Sequence, residues 1–210
     1  AYPIPEVFSD AQAAPLLCAG AVGYRAFKLA GLKNGEPLGL TGFGGSAHLM
    51  LQVVRHVLPK SDVFVFARDP AARQFALELG AAWAGDTTDR SPEKLQAIID
   101  TTPVWKPVVE ALNNLRPGGR LVINAIRKED VDKDYLLKVS YHEQLWMERE
   151  IKSVANVTHH DIAEFLPLAA DIPIKPEVPT YRLEDANQAL VELRHAPGKG
   201  AKVLLVGQEP

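Results

Sequence analysis

Hydrophobic positions along the chain fall into two alternating textures. Short apolar runs, "PLGLTGF", "DVFVFA", "AAWAG", "AIIDTT", "RLVINAI" and "IKSVANV", read as strands. Between them, "SAHLMLQVVRHVLP", "PAARQFALELG", "VWKPVVEALNNLRPGG" and "DIAEFLPLAADI" carry apolar residues at helical spacing. A further helix is expected over "SPEKLQAIID", merging into the strand "AIIDTT". Ahead of this alternation, "SDAQAAPLLCAGAVGYRAFKLAGLKNGE" reads as one helix, started at Ser9 or Asp10 and stopped by Gly31 and "KNGE". Strand-helix alternation predicts βαβ units, and the nearly continuous apolar runs fit strands buried on both faces. The fold class is therefore α/β, a Rossmann-type doubly wound parallel sheet with helices on both faces.

From Pro173 the texture changes to a proline-punctuated extended piece, then a helix over 185–195, then a terminal strand. Three segments are expected: a linker over 1–12, a dinucleotide-binding domain over 13–178 and a tail over 179–210. The opening "AYPIPEVF" has neither an initiating Met nor a secretion signal, and a piece of a longer polypeptide is the expectation.

Composition narrows the partners. With 23 Lys and Arg against 26 Asp and Glu, the net charge of −3 provides no basic field for nucleic acid. No apolar run reaches the ~18 residues of a spanning helix, so no membrane partner is expected. The single cysteine, Cys18, excludes an internal disulfide and points to a reducing, cytoplasmic setting.

The strongest chemical motif is "LTGFGGSAHLMLQ", which sets Gly42, Gly44 and Ala47 in G-x-G-x-x-A spacing between a strand and a helix. The first glycine allows a tight turn and the second lets main chain approach a pyrophosphate. Gly45 and Ala47 permit close helix–strand packing, and the helix N-terminus faces the anion. Ser46 is a candidate phosphate-loop hydroxyl. The competing reading is a glycine-rich turn without ligand. Where NAD enzymes carry an acidic residue at the end of the second strand, this chain has Ala67 followed by Arg68, which suits the 2′-phosphate of NADP. Asp69 reads as a helix N-cap, and Arg68 could equally be a solvated cation; a one-residue shift in register would favour NAD.

"APLLCAG", "AFKLAGLKNGE", "GFGGSAHLMLQ", "FALELGA", "LRPGGRLVINA" and "YRLEDANQALVELRHAPGKGAKVLLVG" together resemble, in order and spacing, the medium-chain zinc-dependent alcohol dehydrogenase family. The resemblance implies a coenzyme domain joined to a catalytic domain that largely precedes this segment, with the tail returning to it. It implies hydride transfer between NADP or NAD and an alcohol, aldehyde or ketone. Cys18 matches the family's cysteine that ligates catalytic zinc, whose other ligands would lie outside this chain; otherwise Cys18 is a small buried residue on a helix. By the same matching, Thr101, Thr102, Asn124, Ala125, Val154 and Asn156 should lie near the cofactor at the strand ends, or else be ordinary strand-end residues. The family's habit of joining coenzyme-domain sheets through edge strands makes "IKSVANV" and the loop before it a candidate homo-oligomer edge. The six histidines suggest no zinc site of their own, and the run "RKEDVDKD" reads as a solvated loop. Two rivals remain at this point: a zinc-free quinone or enone reductase of the same superfamily, and a non-catalytic nucleotide-sensing module.

Overall fold

The computed structural model describes residues 1–172, 174–195 and 199–207. Position 173 and the tail positions 196–198 and 208–210 lie outside the described residues. Six strands form one parallel sheet: β1 (Leu38–Thr41), β2 (Val63–Phe66), β3 (Trp83–Gly85), β4 (Leu95–Asp100), β5 (Leu115–Ile123) and β6 (Glu150–Ser153). Their order is β3-β2-β1-β4-β5-β6, the doubly wound arrangement expected from the sequence.

Alternation along β2 shows how the sheet is buried on both sides. Val63 and Val65 enter one core with Ala26, Leu51, Val54 and Phe75. Phe64 and Phe66 point the other way, into a core with Val108, Leu112 and Leu121. Each such fully buried side chain contributes roughly 1.5–3 kcal/mol of hydrophobic stabilisation. The first face is covered by α2 (Ala19–Ala30), α3 (Gly45–Val57) and α4 (Pro70–Glu78), and the second by α5 (Lys106–Leu112). An outer layer, α6 (His159–Asp171), packs Phe165, Leu166 and Ala169 on the far side of α2 and α3. Thr158 caps α6 by accepting from the Asp161 amide.

Several local expectations are corrected. The first helix is not continuous. A short α1 (Asp10–Ala13), capped by Ser9, leads into a tight turn over Ala14–Leu17, and the chain breaks at Cys18 (φ −115°, ψ −80°) before α2 begins. Helix thus begins within the segment expected to be a linker, and Phe8 is buried against Leu16 and Phe165. No helix forms over 91–94; β4 begins at Leu95. The helix-forming Glu-Lys-Leu-Gln stretch is overridden because Leu95 and Gln96 donate main-chain bonds to Asn114 and Pro37 and join the central ladder. Helix α5 stops at Leu112, and the expected "RPGG" terminator instead forms the irregular start of β5.

The tail forms a small parallel sheet of its own, β7 (Thr180–Arg182) with β8 (Val203–Leu205), flanking α7 (Ala186–His195). Ala201 N–H donates to the Glu177 carbonyl, and Lys199 pairs with Glu78 of α4 at 3.1 Å.

Candidate coenzyme site at the strand ends

The strand order reverses beside β1, the switch point at which ligands of open α/β sheets bind. The glycine loop follows that strand. Gly42 has φ +76°, and its amide donates to Phe66 at the end of β2. A Cβ there would lie 2.9 Å from Thr101 Oγ1 and 3.0 Å from Thr102 Cγ2. A Cβ on Gly44 would meet nothing within 4 Å, so open space lies above this position. The first residues of α3 then present amides without partners inside the helix, directed at its N-terminal pole. The Ser46 hydroxyl is turned to the Ala19 carbonyl, to which it donates at 2.8 Å.

Most of the remaining candidates gather along the same edge. Ala67, buried, donates its amide to Gly85, and Arg68 beside it is exposed. Asp69 caps α4 by accepting from the Ala71 amide at 2.9 Å. Thr101 donates its hydroxyl to the Thr41 carbonyl, and the main-chain N–H of Asn124 donates to the Asp100 carbonyl. Asn124 Nδ2 is buried and without a hydrogen-bond partner among the described residues, an orphan donor that a ligand could satisfy. Ala125 follows it, half-buried. Val154 prolongs β6 through a bond to Ile123. Asn156 lies farther out, exposed, with φ +124° and its carboxamide oxygen occupied by the Val157 amide. Taken together, the positive-φ turn at Gly42, the clearance at Gly44 and the orphan Asn124 donor fit a dinucleotide.

Cys18 is exposed, contrary to the buried alternative, and sits at the chain break next to Ala19, the residue that Ser46 grips. No three His, Cys, Asp or Glu side chains among the described residues cluster to hold a metal. Because catalytic zinc takes about three protein ligands, these residues do not form a zinc centre by themselves.

Three features of the site are absent from the sequence reading. The run "RKEDVDKD" is not uniformly solvated, for Lys128 turns inward with only 10% of its side chain exposed. It pairs with Asp100 at 2.5 Å and donates to the carbonyls of Thr102 and Val104. Asp100, fully buried, also accepts from the hydroxyls of Thr41 and Thr102. A carboxylate ending the apolar run "AIID" was the available signal, since a buried acid requires a partner. Second, Arg73 of α4 folds over the end of β2, donating to the Ala67 and Arg68 carbonyls and pairing with Asp86 at 3.3 Å. Third, His48 is fully buried within the first turns of α3. Burial pushes its pKa below the ordinary histidine value, and hydrogen bonding to the glycine loop opposes this without reversing it.

No protein-family model matches the chain. Over 206 residues, 98% of its length, it is 40% identical to the probable alcohol dehydrogenase AdhA of Mycobacterium tuberculosis. The chain is a homologue of the alcohol dehydrogenases. It spans 58% of the length of that relative. The acetophenone reductase of Geotrichum candidum, solved in complex with NAD, superposes with a TM-score of 0.79 over 97% of the chain and 58% of its own, at 22% identity. The CAD of Helicobacter pylori, complexed with NADP(H), gives a TM-score of 0.76 over 92% of the chain and 54% of its own, at 24% identity. These likenesses carry the six-stranded α/β architecture, and no helix in this alcohol dehydrogenase homologue is long and apolar enough to cross a membrane among the described residues.

Proposed function

We propose that this chain is the coenzyme-binding part of an alcohol dehydrogenase that exchanges hydride between NADP or NAD and an alcohol, aldehyde or ketone. One observation carries the coenzyme reading: the glycine loop leaves β1 where the strand order reverses, with φ +76° at Gly42 and clear space over Gly44. The amides of Gly44, Gly45 and Ser46 would hold the pyrophosphate. Asn124, Ala125 and Val154 would line the nicotinamide, and Thr101 and Thr102 would back the turn at Gly42. When bound, the nicotinamide supplies the hydride acceptor or donor. The protein's part is to bind and orient it.

Arg68 favours NADP. Its guanidinium has no carboxylate partner among the described residues, whereas Asp69 is engaged as a helix cap and Arg73 is held by Asp86. A free guanidinium matches the geometry of a 2′-phosphate, and Asp69, the next residue, has one carboxylate oxygen committed to the Ala71 amide. Cys18 would contribute one zinc ligand beside the coenzyme, the others coming from sequence outside this chain. The parallel sheet ends at β6, where Ile151 is exposed and Trp146 and Met147 lie just before the strand. This edge is the candidate surface for joining a second copy.

The test is a fluorescence titration of the chain with NADPH and with NADH. Tighter binding of NADPH supports both the loop and Arg68. Preference for NADH removes the Arg68 assignment and keeps the fold-based reading. Binding of neither removes the coenzyme reading.

A further inference from the structure

His48 occupies an unusual place, one turn into α3 and wholly out of solvent. Its Nε2 lies 3.3 Å from the amide of Glu177, in the segment leading to the tail. A main-chain amide only donates, so Nε2 must accept. The proton of the neutral ring is therefore on Nδ1, which lies 3.0 Å from the Gly44 carbonyl oxygen and donates to it. The same carbonyl receives the His48 main-chain amide at 3.2 Å. Gly44 thus has its oxygen held twice by one residue.

This matters for the amide on the other side of the peptide. In a planar trans peptide the C=O of Gly44 and the N–H of Gly45 point in opposite directions. Drawing the Gly44 oxygen down into α3 turns the Gly45 N–H outward, into the space that lies open above Gly44. Gly44, lacking a Cβ and serving as the helix cap without a side-chain bond, has little else to hold its peptide plane. We propose that His48 is a positioning residue for coenzyme binding: its Nδ1–H fixes the Gly44–Gly45 peptide so that the Gly45 amide faces the pyrophosphate, and the Glu177 amide selects the tautomer that does so. This rests on the coenzyme reading given above. It also joins the tail to the glycine loop, because Glu177 in turn accepts from Ala201, whose Cβ would lie 3.9 Å from one built on Gly45.

Two near-isosteric replacements separate the two ring nitrogens. Asn places a donor where Nδ1 sits but cannot reach Glu177; Gln reaches the Nε2 position and leaves Gly44 without its second donor. In the wild-type chain, coenzyme should bind, and imidazole nitrogen NMR should report a protonated Nδ1 and bare Nε2. His48→Gln should weaken coenzyme affinity by about tenfold, the loss of one hydrogen-bond donor's support at an anion site, while His48→Asn stays near wild type. Both variants should unfold at similar urea concentrations. The charged groups on the elements around the ring are Glu177 and Lys199 from the tail and Glu78 from α4, the last two paired with each other. Acidification that protonates Nε2 breaks the bond from Glu177 but leaves the Nδ1–H donor on Gly44, so affinity should follow the same pH course in the wild type as in His48→Asn; comparing the two cancels titration of the coenzyme's own phosphate. If Asn and Gln variants lose affinity equally, or neither does, or the NMR places the proton on Nε2, the positioning role is wrong while the coenzyme reading stands. If the wild-type chain binds neither NADPH nor NADH, both fall.

Discussion

The hydroxyl of Ser46 donates a 2.8 Å hydrogen bond to the carbonyl oxygen of Ala19, the residue after Cys18. One side chain in the first turn of α3 thereby fastens the start of α2, and with it the chain break that carries the only thiol, to the glycine loop. Ser46→Ala should lower stability by about 1 kcal/mol, the usual net worth of a partly buried hydrogen bond. A urea midpoint measured beside an NADPH titration separates this tether from a direct phosphate contact. Loss of coenzyme affinity with an unchanged midpoint would mean that the hydroxyl serves the ligand and not Ala19.

Gly42 and Gly44 are two residues apart and should fail in opposite ways. Alanine at Gly42 must adopt φ +76° with its methyl 2.9 Å from Thr101 Oγ1, so Gly42→Ala should cost about 1–3 kcal/mol of stability. Alanine at Gly44 meets open space and a negative φ, so Gly44→Ala should leave stability within about 0.5 kcal/mol. Its methyl enters the volume above the loop and should weaken NADPH at least tenfold by titration, roughly the worth of one obstructed contact. Equal stability loss in both variants would show that the clearance over Gly44 is not what sets the choice of glycine there.

The sheet was legible because buried parallel strands leave little freedom in composition. "DVFVFA" and "RLVINAI" have no polar face to offer solvent, and the glycine loop announced where the first strand ends. The break at Cys18 had one local signal, Pro15 at the start of the tight turn, but the Ser46 bond to Ala19 just after it comes from a residue distant in sequence. The start of β4 was hidden for a related reason: Glu93, Lys94 and Gln96 have helical propensity, and only pairing with β1 and β5 overrides it. At the site, the motif residues could be counted out from the loop. The role of Lys128 could not, because a lysine inside a charged run looks solvated until the fold sets Asp100 against it.

Coenzyme preference should follow Arg68. Arg68→Ala removes the one guanidinium at the end of β2 not already paired with a carboxylate among the described residues. A charge-assisted contact to a 2′-phosphate is worth about 1.5–3 kcal/mol, so NADPH affinity should drop by roughly ten- to a hundredfold. NADH, lacking that phosphate, should bind as before. A parallel loss for both coenzymes in paired titrations would assign Arg68 to the fold of the β2–α4 turn.

In the tail, Glu192 of α7 accepts from Lys202, Tyr181 and Gln188, and the Lys202 ammonium foremost pulls its carboxyl down to about 2. A depressed carboxylate pKa adds stability above the ordinary value of 4.5, lost as pH falls toward 2. Carboxyl NMR of Glu192 should therefore give a midpoint near 2, with β7–β8 amide protection persisting at pH 4 and failing only below it. Lys202→Met should return the midpoint toward 4.5. A wild-type midpoint already near the ordinary value would show that the Lys202 contact does not hold in solution.

The ion pair behind the coenzyme site makes the sharpest stability prediction. Asp100 is fully buried and Lys128 nearly so, and the lysine also closes the carbonyls of Thr102 and Val104. Removing one member of such a pair leaves an uncompensated charge, at a cost of about 3–5 kcal/mol. Lys128→Met should fall in that range, because the hydroxyls of Thr41 and Thr102 hydrogen-bond Asp100 but do not neutralise it. Asp100→Asn combined with Lys128→Met removes both charges and keeps an amide for the two hydroxyls, so it should recover a large part of the loss. The double-mutant cycle, read from urea unfolding, should give a coupling energy well above the ~1 kcal/mol typical of exposed pairs. Additive losses would mean that Lys128 acts only as a donor to the two carbonyls, and Asp100 would then draw its stabilisation from the threonines alone.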